Sequence, residues 1–162
     1  MNTDHNVLRQ IMRRSLSGKD SHVGTAAILA GLDWKLVGVR PSGAPHSVFQ
    51  IVNHIIYWEE WVNKWLDGGS PKVPRHADGG WPGKIGPANR KEWQQTVRRF
   101  GSVLNELERR SRKGDLLVKR GKWTRVEIVH ATGSHTSYHI GQVAFLRQLL
   151  GSWPPPTGGL TW

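Results

Sequence analysis

Two histidines, His135 and His139, stand four residues apart in Ser134-His135-Thr136-Ser137-Tyr138-His139-Ile140-Gly141-Gln142. In a helix that spacing puts both imidazoles on one face, one turn apart, where they can share a metal ion. His54, in an earlier stretch of helical pattern, could complete the set. Three neutral imidazoles leave a fourth coordination position open to water or substrate, the arrangement of a catalytic rather than a structural metal. Eight histidines in 162 residues produce roughly 0.4 such pairs by chance, so the pair needs its context. The alternative for it is a hydrogen-bonded histidine of purely structural role.

The context is a succession of amphipathic segments. A first helix is predicted from Asp4 to Ser17, with Val7, Leu8, Ile11, Met12 and Leu16 at helical spacing and Gly18 as its stop. Thr25 to Leu32 reads as a short helix, and Arg40 to Pro45 as a loop. A second helix starts at a capping box, Ser47 with Gln50, and carries Val48, Ile51, Val52, Ile55, Trp58, Val62 and Trp65 as far as Leu66. His54 lies at the edge of that apolar stripe, so its nitrogens need a partner, either a metal or a hydrogen bond. Residues 68–88, rich in Gly, Pro, His and Trp, form a long loop, either a lid or pocket wall or simply a mobile connection.

A third helix is expected from Pro87 or Ala88 to about Arg112, with Trp93, Val97, Phe100, Val103, Leu104 and Leu107 on its apolar face. Leu116 to Trp123 suits either a short extended pair around Arg120-Gly121 or a loop. The fourth helix opens on a second capping box, Thr124 with Glu127, and runs to Leu150 before Gly151. Its middle is filled with small residues around the histidines, and glycine there costs about 1 kcal/mol of helix propensity relative to alanine. Gly133 and Gly141 are therefore expected to serve close packing or room for a ligand. Four such helices make an all-α four-helix bundle, one domain over 1–162, whose core is a natural place for a metal site.

Composition narrows the function classes. There is no cysteine, which excludes disulfides, cysteine nucleophiles and thiolate-ligated zinc. No apolar run approaches the roughly 18 residues of a membrane span, and the N-terminus shows no secretory signal, so a cytoplasmic location is the default. The net charge of +11 invites a nucleic-acid partner. Its clusters, however, are scattered and mostly close or flank helices, where cations complement the helix dipole, and no nucleic-acid-binding motif accompanies them. Nucleic acid is not the expected partner.

Trp58, Trp61 and Trp65 fall on one helical face. They form either core or subunit interface, or an aromatic wall beside the site. Gln142, one turn beyond His139, is placed either to orient it or to make an ordinary helix hydrogen bond. Tyr57, Tyr138, Glu59 and Glu127 could handle protons, but Glu127 closes a capping box and Glu59 is expected to be solvated. His130 points about 140° away from His135 and reads as structural. His5, His22, His46 and His76 belong to no motif, and His46 helps set the loop before the second helix.

Arg40-Pro41, then Pro45-His46-Ser47 leading into Gln50-Ile51-Val52-Asn53-His54, together with His130 and the H-x-x-x-H-x-G-Q run from His135 to Gln142, resemble the DinB/YfiT-like family of metalloenzymes over nearly the whole chain. The resemblance implies an up-down-down-up bundle, metal ligands His54, His135 and His139, zinc or nickel as the ion, and a homodimer. It also implies an activity: a thiol-dependent S-transferase using a low-molecular-weight thiol such as bacillithiol or mycothiol, or a hydrolase. Gln142 and Tyr138 are the candidate catalytic residues. Ile140 stands where many members carry arginine, which bears on substrate and not on ligation. Two other classes stay open: a metal-binding protein without turnover, for instance a stress-related one, and a basic interaction module.

Overall fold

A computed structural model describes residues 3–18 and 21–159; the extreme ends of the span 1–162 read as one domain lie outside them. Four helices carry the architecture: α1 (Thr3–Ser17), α2 (Val48–Leu66), α3 (Arg90–Ser111) and α4 (Arg125–Leu149). A two-residue hairpin, β1 (Lys119–Arg120) with β2 (Trp123–Thr124), precedes α4. Its turn uses Gly121 at φ 65°, a conformation most side chains resist. α2 packs against α3 and α4, and α1 against α4 and α3, so α1–α2 and α3–α4 are the diagonals of an all-α bundle. Among the described residues no helix is long and apolar enough to cross a membrane.

The helix starts follow local chemistry. Ser47 and Gln50 close the expected box at α2, and Thr124 and Glu127 close the one at α4. Caps of this kind are each worth about 0.5–2 kcal/mol. α3 begins two or three residues later than expected, because the Asn89 side chain accepts from Glu92 N at 3.0 Å and serves as N-cap.

The segment Thr25–Leu32 contains only a 3₁₀ turn, Ala27–Leu29, rather than the expected short helix. The physical reason sits on α4. Arg147, 1 % exposed, donates to Ile28 O at 2.6 Å, Ala30 O at 2.9 Å and Ser152 O at 2.7 Å. A guanidinium buried without a carboxylate needs carbonyl acceptors, and those it takes are withheld from helical hydrogen bonds.

The core is in two parts. One contains Val48, Ile51, Val52 and Ile55 of α2, Phe100 of α3, and Ile140, Val143 and Leu146 of α4. The other contains Met12 and Leu16 of α1, Val62 and Trp65 of α2, Leu104 and Leu107 of α3, and Val129 of α4. Along α2 and α4 a buried polar layer falls between the two: Glu59 on α2, Thr132 and Thr136 on α4. Gly133 lets α1 come close there, since a Cβ on it would stand 2.1 Å from Ser15 Oγ. Gly141 is different from expectation: it is exposed, and a Cβ on it would meet nothing within 4 Å.

Candidate metal centre

The three histidines predicted from spacing come together at one level of the bundle, His54 from α2 and His135 and His139 from α4. The Nε2 atoms of His54 and His139 each lie 3.2 Å from Nε2 of His135. One nitrogen from each ring lies within 4.8 Å of the others. An ion holding imidazole nitrogens tetrahedrally at about 2.0–2.1 Å spaces them by roughly 3.3 Å, so the separations to His135 match.

Two of the rings are held in one tautomer. His54 Nδ1 donates to the carbonyl of Gly80 at 2.9 Å, and His139 Nδ1 donates to Gln142 Oε1 at 2.7 Å. Their Nε2 lone pairs therefore face His135, whose single Nε2 proton cannot serve both well. A cation satisfies all three at once. Outer partners of this kind are what fix ring orientation around metals. Burial holds the imidazoles of His54 and His135 down to about 4, with neighbouring histidines adding to the effect, and lowers His139 as well. At neutral pH the trio is uncharged, the state that ligates.

The long loop supplies a wall. Its 3₁₀ turn, Ala77–Gly80, brings Gly80 O to His54, and a Cβ on Gly80 would press to 3.0 Å from Trp58 Nε1. The next residue, Trp81, lies between two imidazoles: its ring centroid is 3.8 Å from that of His54 and 3.6 Å from that of His46, both stacked nearly parallel to it. A pocket of about 560 Å³ opens beside the trio, with Trp58, Trp61, Trp81 and Trp123 in its lining.

A DinB superfamily model matches residues 22–143, three quarters of the chain and all three histidines. The chain belongs to the DinB superfamily. No curated protein and no solved structure matches it. In this DinB-superfamily chain Ile140 is 2 % exposed and packs in the apolar core, away from the pocket lining.

Several expectations divide on the structure. Gln142 sits where the spacing placed it, on His139. Tyr138 is 66 % exposed, edge-on to His139 with centroids 5.0 Å apart, and is not part of the pocket lining. Of the tryptophan stripe, Trp58 and Trp61 are pocket wall while Trp65 is core. His130 is exposed and lies apart from the trio. His22 bonds Val23 O and Ser137 Oγ.

Glu59, expected in solvent, is fully buried: Thr136 Oγ1 donates to its Oε1 at 3.2 Å, and its Oε2 has no partner among the described residues. Burial pushes its carboxyl up to about 8 against the smaller opposing effect of Thr136. The stacking roles of His46 and Trp81 were not foreseen; the Gly- and Trp-rich loop was the available signal for Trp81. The hairpin around Arg120-Gly121 was one of the two expectations for this stretch, but nothing in the pattern pointed to Lys122 and Trp123 as pocket residues.

Replacing Gln142 by Ala frees the His139 ring and its tautomer. Affinity for a divalent ion is expected to fall 10–100-fold, read by competition with a chromophoric chelator, with Gln142→Glu restoring it. An unchanged affinity in Gln142→Ala would show that the Nδ1 contact does not organise the site.

Proposed function

We infer that this chain is a divalent-metal-dependent enzyme that uses His54, His135 and His139 as ligands and catalyses thiol-dependent S-transfer or hydrolysis. The observation that carries the reading is the convergence of three Nε2 atoms from two helices, two of them oriented from behind, beside an open pocket. The donor set suits zinc or nickel. A cation held there supplies Lewis acidity that favours the thiolate of a low-molecular-weight thiol, or an ionised water, at neutral pH.

The chain's own residues do the rest. Gly80 and Gln142 hold two imidazoles in the ligating tautomer. Trp81 covers the His54 ring, and the indole walls limit water around the reacting groups. Glu59 keeps the layer behind the histidines uncharged. Exposed Tyr138, Phe145 and Leu149 on α4 support a homodimer built on that face.

The test is turnover. Zinc- or nickel-loaded protein is incubated with a panel of low-molecular-weight thiols and soft electrophiles, and separately with ester and amide substrates. Thiol conjugation that depends on the metal and is lost in His54→Ala is the expected result. Tight stoichiometric metal with no turnover in either panel would instead favour a metal-binding protein without catalysis.

A further inference from the structure

The chemistry of the pocket wall selects a class of ligand. Trp58 and Trp61 stand with ring centroids 6.2 Å apart, tilted by 57°, and Trp61 is pinned by donating from Nε1 to Lys72 O at 3.1 Å. Trp123 faces the same space. Indoles spend little conformational entropy and offer flat faces, so they favour a flat apolar body over a flexible aliphatic one. The volume of about 560 Å³ lies in the range of small-molecule sites, roughly 300–1,000 Å³.

Charge and hydrogen bonding then decide the polar end. Beyond the three histidines, the ionisable group in the lining is Lys122, and no aspartate or glutamate lines the pocket. Lys122 Nζ lies 5.4 Å from the centre of the Trp123 ring, a cation–π contact that keeps the ammonium at the wall and already occupies an indole face a cationic ligand would seek. The indole N–H groups of Trp58 and Trp123 make no hydrogen bond among the described residues. The Thr132 hydroxyl is turned back onto Ile128 O at 2.7 Å. The wall thus presents donors and positive charge, with few acceptors.

We propose that this pocket takes a flat, apolar organic anion, its body against Trp58, Trp61 and Trp123 and its acidic group on Lys122. This deepens the enzyme reading and rests on it for the role of the bound molecule as substrate, whose remaining end faces the histidines.

Calorimetry with three probes of one shape tests it: naphthoate, naphthylmethanol and naphthylmethylammonium, each added to metal-loaded and to chelator-stripped protein. Naphthoate is expected to bind roughly five- to tenfold tighter than the alcohol, the worth of a charge-assisted contact at a partly exposed site, and the ammonium most weakly. Lys122→Met, at an exposed hairpin position, should bring naphthoate to the alcohol's level with metal content unchanged. Trp58→Ala should weaken all three about tenfold.

An ammonium that binds as well as the carboxylate, or a preference that survives Lys122→Met, overturns the proposal. The two readings fail separately. A Lys122-dependent preference in protein that takes up no divalent ion when one is offered sinks the enzyme and leaves this pocket. An intact metal centre with no preference for the anion does the reverse.

Discussion

His135→Ala should strip the protein of its metal. His135 Nε2 is the hub of the trio, in contact with both other rings at 3.2 Å, and its loss leaves two imidazoles on separate helices. The affinity should fall by more than the roughly 10–100-fold attached to an outer partner, so that wild-type protein purified without a histidine tag carries near-stoichiometric divalent ion and the variant very little. His130→Ala, on the far side of the same helix, should behave as wild type. Elemental analysis reads both.

The same measurement after dialysis across a pH series has a definite sign. Protons compete with the ion for neutral imidazole, and burial holds His54 and His135 down to about 4 against an ordinary value of 6.5. The ion should therefore be retained below pH 6.5 and be released as the pH approaches about 4. Equal metal in wild type and His135→Ala would remove the foundation of the site.

Glu59→Gln should reshape the pH dependence of stability. The carboxyl titrates at 4.5 in an ordinary setting and is raised to about 8 where it is buried. A raised carboxyl means that the folded state binds the proton more tightly. The contribution of Glu59 is fully present below pH 4.5 and is lost progressively as the pH rises to about 8, where the native protein must either ionise a buried group or stay protonated against the solvent. Glutamine keeps the shape and the Thr136 contact and cannot ionise.

The variant should match wild type near pH 4.5 and gain on it by an amount on the order of 2–4 kcal/mol by pH 8, measured by urea unfolding of metal-free protein. The buried histidines add an opposite dependence below pH 6.5, but it is common to both proteins and cancels in the difference. Parallel pH profiles for the two would show that Glu59 is not held neutral.

Much of the bundle was legible in the chain because its signals are local. The two capping boxes are closed by residues three apart, Ser47 with Gln50 and Thr124 with Glu127, and they set the helix starts by hydrogen bonds that depend on nothing distant. The start of α3 moved because the Asn89 cap outcompeted the proline-led reading. The candidate trio was legible for a similar reason: His135 and His139 share a helical face by spacing alone, and His54 lies on the apolar edge of its helix, where only the core or a site can receive it.

What spacing could not disclose is what meets what across the bundle. Glu59 follows His54 by five residues and looks like a surface carboxylate in the sequence. Its burial comes from α4, whose Thr132 and Thr136 sit in the polar layer between two apolar clusters. Arg147 likewise reads as a basic residue closing α4, and becomes a buried tie only because the Ile28 and Ala30 carbonyls arrive from an irregular segment more than a hundred positions away.

By itself the sequence determined four amphipathic helices, their capped beginnings and three histidines able to reach one ion, since periodicity and capping act within a few residues. Tertiary structure alone decided that Trp81 lies against His54, that Gly80 orients that ring, and that Lys122 and Trp123 close the pocket. Those contacts join a loop and a hairpin to distant helices, and their energy depends on desolvation and shape, which exist only once the chain has closed on itself.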